Sequence, residues 1–463
     1  MSSFSIILCS DSMNGIGKNN TLPWKNKIDM DFFQIKTIHN IVIMGKNTYL
    51  SLPNGYLKDR INIVISSSLS LKKEKNIFVK SSLDEALEYC FFNYKFKKIF
   101  VIGGAILYKE ALQHPNLKSI YWNVLLKELN YDCDTFFPIS LKECLHKFKY
   151  NNKIENEIQF YKFYIERDEQ KYLDLLKKIY EKGDERQTRN AITKSLFGEK
   201  LEFDLSNNIF PLLTTKKMFL RGIFEELIWF LKGDTDSKLL EEKKVNIWKK
   251  NSSKQFLESM NLDYEEGDIG NMYGFQWNHF GAEYVGCQEN YDGKGFNQIE
   301  YCLDLLKTDK FSRRIIMTTY SPSEANKGVL YPCHGLIVQW YVKEVNKINY
   351  LSCHMYQRSA DAFLGVPFNI SSYSLLTYLF CEILNNDNFD CKFKPDKLII
   401  SFGDIHIYEN HYEQIKEQIK RKPYPFPKIF IKNKNSKLQN FEWKDIEIQN
   451  YKYHEKINAD MVA

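Results

Sequence analysis

The stretch IFVIGGAILYKEAL, residues 99–112, sets four apolar residues, two glycines and an amphipathic octet in a row. Its apolar run has no in/out alternation, so it reads as a strand buried on both faces, as in a parallel sheet. The octet after the glycines reads as a helix. NIVIMGKNTYLSL (40–52) repeats the plan, and FSIILC (4–9) and INIVIS (61–66) repeat its strand part. The first third of the chain is therefore expected to be an α/β domain with a mostly parallel sheet and flanking helices.

Working outward, EIQFYKFYIER (157–167) reads as a last strand and QKYLDLLKKIYEK (170–182) as a new amphipathic helix ended by Gly183. Only a few charged residues separate them, which puts the boundary between a domain 1–167 and a domain 168–463. The second domain mixes a long helix (219–232), strands such as GLIVQWYV (335–342) and IIMTTY (315–320), and a loop-rich end with Pro423, Pro425 and Pro427. That is an α+β pattern. The polar stretches 307–310 and 385–393 are expected to be loops.

Composition fits two soluble globular domains: 463 residues, 44% hydrophobic and 26% charged. A net charge of +6 from 64 basic and 58 acidic residues is a small excess that suits anionic small substrates and requires no nucleic acid. The ten cysteines show no C-x-x-C pair and no zinc-type spacing, so reduced thiols and no metal are expected. The N-terminus lacks a basic leader, and its apolar run of about six residues is too short for a membrane span, which leads to the expectation of a cytoplasmic protein.

Two strand–glycine–helix turns in one domain suit a ligand with several phosphates, because a helix N-terminus offers free N–H groups and glycine lets an anion approach the backbone. Lys46 and Thr48 add a cation and a hydroxyl. Such turns also serve simple chain reversal. A Rossmann reading of NGIGKNN fails for want of the third glycine and the helix. In KIDMDFFQIKTI (27–38), Asp29 shares a helix face with Phe32 and Phe33, so its carboxylate needs a raised proton affinity or a specific partner. The alternative is a capping box with Asn26.

GIGKNNTLPW (15–24), Asp29, MGKNTYLSLP (44–53), RINIVISS (60–67), VIGGAILY (101–108) and CDTFFP (133–138) follow the order and spacing of dihydrofolate reductases, which segment 1 to about 166 resembles. The resemblance implies that Asp29 promotes protonation at N5 of dihydrofolate while NADPH delivers hydride to C6. It places Phe33, Arg60, Ile102 and Asn123 on the substrate, with Arg60 pairing the α-carboxylate of the glutamate tail. It places Cys9, Ile16, Gly17, Gly45, Lys46, Thr48, Ser66, Ser67, Gly103, Gly104, Ile106 and Tyr108 around NADPH. Where that family usually has threonine bonded to the acid, this sequence has Asn123, whose amide can also donate but reaches further.

In the second domain Cys333 lies in YPCHGL. A lone cysteine is more often a buried filler than a nucleophile, but arginines surround this one in the sequence pattern: Arg189, the Arg313–Arg314 pair and Arg358 all sit on apolar or strand-like segments. That placement is costly unless they meet anions. An arginine beside Cys333 would favour its thiolate. On helix 219–232, a 100° turn per residue puts Glu226 at the core margin and Glu225 opposite the apolar stripe, as a solvated charge.

FPLLTTKK (210–217), EELIWFLKGDT (225–235), NMYGFQW (271–277), SRRI (312–315), YPCHG (331–335), QRSADAFLGVPFNI (357–370) and GDIHIYENH (403–411) resemble thymidylate synthase over nearly all of 170–463. The resemblance implies methylation of dUMP by 5,10-methylenetetrahydrofolate, yielding dTMP and dihydrofolate. Cys333 would attack C6 of the uracil, Glu226 would organise proton transfers, Tyr273 would lie near the C5 proton and Asn369 would read the uracil edge. Arg189, Gln357, Arg358 and Ser359 would hold dUMP, joined at its phosphate by Arg313 and Arg314 from a neighbouring subunit of a homodimer. His406 and Tyr408 would reach the ribose, and Trp248, Asp361 and Phe368 would line the folate.

Two readings of other classes are set against this one. A nucleic-acid-binding protein would show a clustered Lys/Arg stripe, whereas these lysines are scattered among glutamates. A chain with one degenerate, scaffolding domain would show a single activity when each is assayed.

Overall fold

Val, Ile and Leu dominate the short runs of the first third, and these become strands whose residues are buried on both faces. The computed structural model describes residues 3–69, 76–94, 96–126, 131–188, 191–386 and 392–461. The chain divides into two compact units, Met1–Arg167 and Asp168–Ala463.

The sheet of the first unit comprises β1 (Phe4–Ser10), β2 (Ile41–Gly45), β3 (Ile61–Ile65), β4 (Ile77–Lys80), β5 (Ile99–Gly103), β6 (Leu117–Leu125), β7 (Lys149–Glu155) and β8 (Ile158–Tyr164). Their order is β4-β3-β2-β5-β1-β6-β8-β7. The first six run parallel, and β8 and β7 close the sheet antiparallel. Helices α1 (Lys27–Thr37), α2 (Lys46–Ser51), α3 (Leu83–Asn93) and α4 (Ala105–Leu112) flank it. Both strand–glycine–helix readings hold, since β2 passes into α2 at Gly45 and β5 into α4 at Gly104.

The second unit opens with α5 (Asp168–Lys182) and contains α6 (Leu220–Lys232), α7 (Gly365–Asn386) and α8 (Tyr412–Lys420). Its sheet is built from β9 (Asp184–Gln187), β10 (Ile192–Phe197), β11 (Lys200–Asp204), β12 (Ile316–Met317), β13 (Ile337–Val345), β14 (Ile348–Asp361) and β15 (Lys392–Tyr408). The order is β9-β10-β15-β14-β13-β12, with β11 also on β15. The 22-residue α7 is buried along most of its length and packs on β14 and β15.

Some expectations are corrected. Of IIMTTY only Ile316 and Met317 pair as a strand. The helix Gln298–Thr308 takes the first half of the polar stretch 307–310, because Asn297 caps its start and its apolar face is buried as far as Leu306. In 385–393, α7 continues to Asn386 and β15 begins at Lys392, while 387–391 lie outside the described residues. Among the described residues no helix is long and apolar enough to cross a membrane.

Two candidate active sites

In the first unit, Cys9 on β1 and Asn123 on β6 are partners in register. On parallel neighbours both side chains leave the same face of the sheet. Helix α1 brings Asp29 to that pair. Asn123 Nδ2 donates to Asp29 Oδ1 at 2.7 Å, and the Cys9 thiol is its second neighbour. Asn26 does cap α1, accepting from the amides of Ile28 and Asp29. The Asp29 carboxylate, however, turns away from the cap toward β6. Burial pushes its pKa up, and the contacts with Asn123 and Cys9 hold the rise back. Burial also raises the Cys9 thiol well above its usual range, helped by the charge of Asp29.

These groups line a cavity of about 650 Å³, within the range of cofactor and substrate sites. Cys9, Ile16, Gly17, Asp29, Phe33, Gly45, Lys46, Thr48, Ile102, Gly103, Gly104, Ile106, Tyr108 and Asn123 all reach it. The two glycine turns meet there. A Cβ on Gly103 would stand 3.0 Å from Thr48 Oγ1 and one on Gly104 3.3 Å, and Gly103 has a φ of 139°. A side chain at either glycine would therefore crowd Thr48 on the cavity wall, where bare backbone fits. Tyr108 is fixed by its hydroxyl donating to the Ile7 carbonyl at 2.9 Å.

Three of the expected residues are placed otherwise. Ser66 and Ser67 are not among the lining residues. Ser66 Oγ instead accepts from the amides of Ser68 and Leu69, and it is Ser68 that receives the ammonium of Lys46, at 3.1 Å. Arg60 stands behind Phe33, its guanidinium 5.8 Å from the ring centroid and held by Thr37 Oγ1 and the Lys58 carbonyl. Sequence reasoning missed Leu22, Met30, Leu52 and Leu57 of the lining. Leu22 and Met30 are half exposed, and an isolated apolar residue carries no sign of what it faces.

In the second unit Glu226, Trp248, Tyr273, Cys333 and Arg358 form one connected set. Glu226 accepts from Trp248 Nε1 at 2.8 Å, and Trp248 packs against Tyr273 with ring centroids 5.9 Å apart. The Tyr273 hydroxyl accepts from the Cys333 amide at 3.2 Å. Tyr273 starts the helix Gly274–His279 at φ 38°, ψ −93°, a backbone conformation costing on the order of 1 kcal/mol or more for a residue with a side chain. Arg358 Nη2 lies 3.9 Å from Cys333 Sγ, and the Arg358 amide donates to the Cys333 carbonyl at 2.8 Å. Gln357 Nε2 donates to Asn369 Oδ1 at 3.0 Å and to the Ser359 carbonyl at 3.3 Å. On the paired strands, Asp361 stands opposite His406, whose ring is 5.2 Å from that of Tyr408. Asp361 Oδ1 accepts from the amides of Phe363 and Leu364, in the turn leading to Phe368 on α7.

Two electrostatic expectations are revised. Arg358 lowers the pKa of Cys333 as anticipated, but burial outweighs it, so the thiol lies above its usual value. Glu225, expected to be solvated, is 6% exposed. Lys243 Nζ reaches it at 2.7 Å and Arg221 Nε at 3.9 Å, and that pairing makes burial possible. Glu226 is held at the end of the connected set by Trp248. Some surface stays open to it, yet protein encloses it, and this burial pushes its pKa to about 7.

Arg189 lies outside the described residues. Arg313 and Arg314 are exposed, and among the described residues neither guanidinium makes a hydrogen bond or ion pair. His334 is given no role among the expected site residues. It stacks on Tyr273 at 4.4 Å and contacts the Tyr373 hydroxyl at 3.0 Å, and burial drives its pKa to about 3, which keeps the ring neutral. Its place beside Cys333 was the available signal.

The thymidylate synthase family matches residues 170–463 and the dihydrofolate reductase family residues 3–169. Among similar curated proteins, one from Paramecium tetraurelia is 37% identical, with 99% of each chain covered. One from Zea mays is 35% identical over 99% of this chain and 97% of its own. One from Leishmania major is 34% identical over 99% and 95%. All three are named bifunctional dihydrofolate reductase-thymidylate synthase.

Proposed function

Since the chain belongs to the bifunctional dihydrofolate reductase-thymidylate synthase family, we propose an assignment of its two chemistries to the two sites just described. The protein is an enzyme with both activities. It reduces 7,8-dihydrofolate to tetrahydrofolate with NADPH, and it methylates dUMP with 5,10-methylenetetrahydrofolate to give dTMP and dihydrofolate. The boundary between the reductase and synthase domains is put after Arg167.

The 650 Å³ cavity, where two strand–glycine–helix turns meet and a Cβ on Gly103 or Gly104 would crowd Thr48, fits an extended phosphate-bearing cofactor and a substrate together. NADPH, when bound, supplies the hydride. Lys46, Thr48, Gly103 and Gly104 would hold it, with Ile16 and Gly17 on the lining of the same cavity. Asp29, enclosed and with a raised pKa, promotes protonation of the substrate at N5, and Asn123 and Cys9 fix the orientation of its carboxylate. Arg60, beside Phe33, takes the tail carboxylate.

In the synthase, Cys333 attacks C6 of dUMP, and the nearby Arg358 stabilises the thiolate against the cost of its burial. Glu226, with a pKa of about 7, can both give and accept a proton near neutrality. Tyr273 holds the Cys333 backbone, Asn369 reads the base with Gln357 orienting its amide, and His406 and Tyr408 meet the sugar. Asp361, Phe368 and Trp248 face the folate.

The active form is proposed to be a homodimer. Ile316, Ile337, Tyr341, Val345 and Tyr356 leave apolar surface exposed on β12, β13 and β14, next to the two unpaired arginines, and a second copy would cover it. Arg313, Arg314 and Arg189 then complete the phosphate site. A cytoplasmic location is supported by the nine described cysteines, none of which is in a disulfide.

The observation that carries the assignment is the unbroken contact path Glu226–Trp248–Tyr273–Cys333–Arg358, wholly within one unit while Asp29 and its cavity lie in the other. Cys333→Ala should abolish dTMP formation and leave dihydrofolate reduction intact, and Asp29→Asn should do the reverse at neutral pH. Loss of both activities in either well-folded variant would refute the division.

A further inference from the structure

Glu169 stands in the first turn of α5 and is 1% exposed. A carboxylate has about four acceptor positions, and here two consecutive residues occupy them all. Oε2 accepts from the amide of Thr214 at 2.8 Å and its hydroxyl at 2.6 Å, and Oε1 from the amide of Thr215 at 2.8 Å and its hydroxyl at 2.5 Å. A lone buried carboxylate would be strongly disfavoured. The four donors hold back the rise in pKa that burial imposes on this one, although burial prevails; Lys216, whose own pKa burial lowers to about 7, is the nearby basic group.

The segment Thr214–Lys216 is a junction. The Thr215 hydroxyl accepts from Gln418 Nε2 at 2.9 Å and its carbonyl from Arg421 Nη1 at 2.7 Å, while the Thr214 carbonyl accepts from the His454 amide at 2.7 Å. Lys216 donates to the Phe363 carbonyl at 2.6 Å and lies 3.8 Å over the Phe363 ring. Phe363 and Leu364 in turn hold Asp361 through their amides, at 2.9 and 3.1 Å. Glu169 is thus tied, through three residues, to the turn that presents Asp361 and starts α7.

We propose that Glu169 is a positioning residue of the synthase site, which sets the Asp361–Leu364 turn for the folate co-substrate by clamping Thr214 and Thr215. The inference rests on the assignment of Asp361 and Phe368 to the folate. The carboxylate itself is required, because a glutamine would aim its NH2 at a backbone N–H that cannot rotate away, leaving a buried donor unsatisfied.

In the full chain, Glu169→Gln should raise the KM for 5,10-methylenetetrahydrofolate about tenfold or more and leave that for dUMP within about twofold. Glu169→Asp should recover part of the loss, and reductase activity of the same chain should be unchanged. If Glu169→Gln does not fold, Thr215→Val, which removes one of the four bonds together with the acceptor of Gln418 Nε2, should raise the same KM by less. A folded variant with an unchanged co-substrate KM, or with both KM values raised equally, overturns the proposal. Asp361→Ala separates it from its premise. A raised co-substrate KM there with none in Glu169→Gln removes the positioning role alone, whereas no effect of Asp361→Ala removes the folate-side assignment.

Discussion

Replacing Glu226 by glutamine should stabilise the synthase unit while stopping its chemistry, and the size of the gain follows from the enclosure of the carboxyl. Glutamine keeps the acceptor for Trp248 Nε1 and removes only the ability to ionise. The pKa rises from an ordinary 4.5 to about 7 in the folded chain. Between those values the unfolded chain has lost the proton and the folded chain has not, so the folded state binds more protons and stability falls as pH rises. Below about 4.5 there is no penalty, and above about 7 it is complete. The full gap corresponds to about 3 kcal/mol, of which about 2 kcal/mol develops between about pH 5.5 and 8. Urea unfolding at fixed protein concentration, followed by tryptophan fluorescence, reads mostly this unit. Trp229, Trp248, Trp277, Trp340 and Trp443 lie in it, against Trp24 and Trp122 in the other. The stability advantage of Glu226→Gln over the parent should grow by about 2 kcal/mol across that window while turnover falls by orders of magnitude. A difference that does not change with pH would show Glu226 already ionised throughout, and its role as a proton relay would fall.

Asp29→Asn should leave a residual reduction that climbs steeply as pH falls and solvent supplies the proton, and a flat profile would count against Asp29 as the acid. Asn123→Thr keeps a donor for Asp29 and removes an amide oxygen that is buried without a partner. It should shift the pH profile of reduction more than NADPH affinity, and an unmoved profile would mean that this contact does not tune Asp29. Glu225→Gln breaks the pair with Lys243 and should cost about 1–2 kcal/mol of stability, with kcat of the folded fraction unchanged. A silent substitution would show that the pair contributes nothing. Cys333→Ala and Arg313→Ala/Arg314→Ala chains should each be inactive as synthases alone and regain activity on subunit exchange, since one mixed pocket then has both an intact thiol and intact arginines. Demonstrated exchange without recovery would put those arginines to work within their own chain.

The strands of the first unit were legible because a parallel sheet buries both faces, leaving unbroken apolar runs such as IVIM and IFVI that nothing else of that length explains. The glycine turns were legible for a related reason, as close backbone approach excludes side chains. The position of Glu225 was not, because a helical wheel knows only its own helix. Lys243, 18 residues further along, arrives through the fold and makes a buried charge tolerable on the face assigned to water. Ser66 and Ser67 show the same limit. A serine after a strand suits a phosphate, but Ser66 satisfies the local turn and leaves Ser68 for Lys46. The clamp on Thr214 and Thr215 was equally hidden, for Glu169 looks like any acidic residue in the first turn of a helix.

The contact between Thr48 and the glycine pair bears on how this enzyme could escape an inhibitor. Any side chain at position 103 or 104 would press on Thr48 Oγ1, and at 103 it would also have to adopt an unfavourable backbone angle. Leu22 and Met30, by contrast, border the same cavity with half their surface free, so their size can change at little cost to packing. A compound that gains its affinity against Gly103 and Gly104 would therefore press on a wall whose glycines resist replacement, at 103 through both the contact with Thr48 and the backbone angle. One that leans on Leu22 or Met30 would lose its footing to the first tolerated exchange.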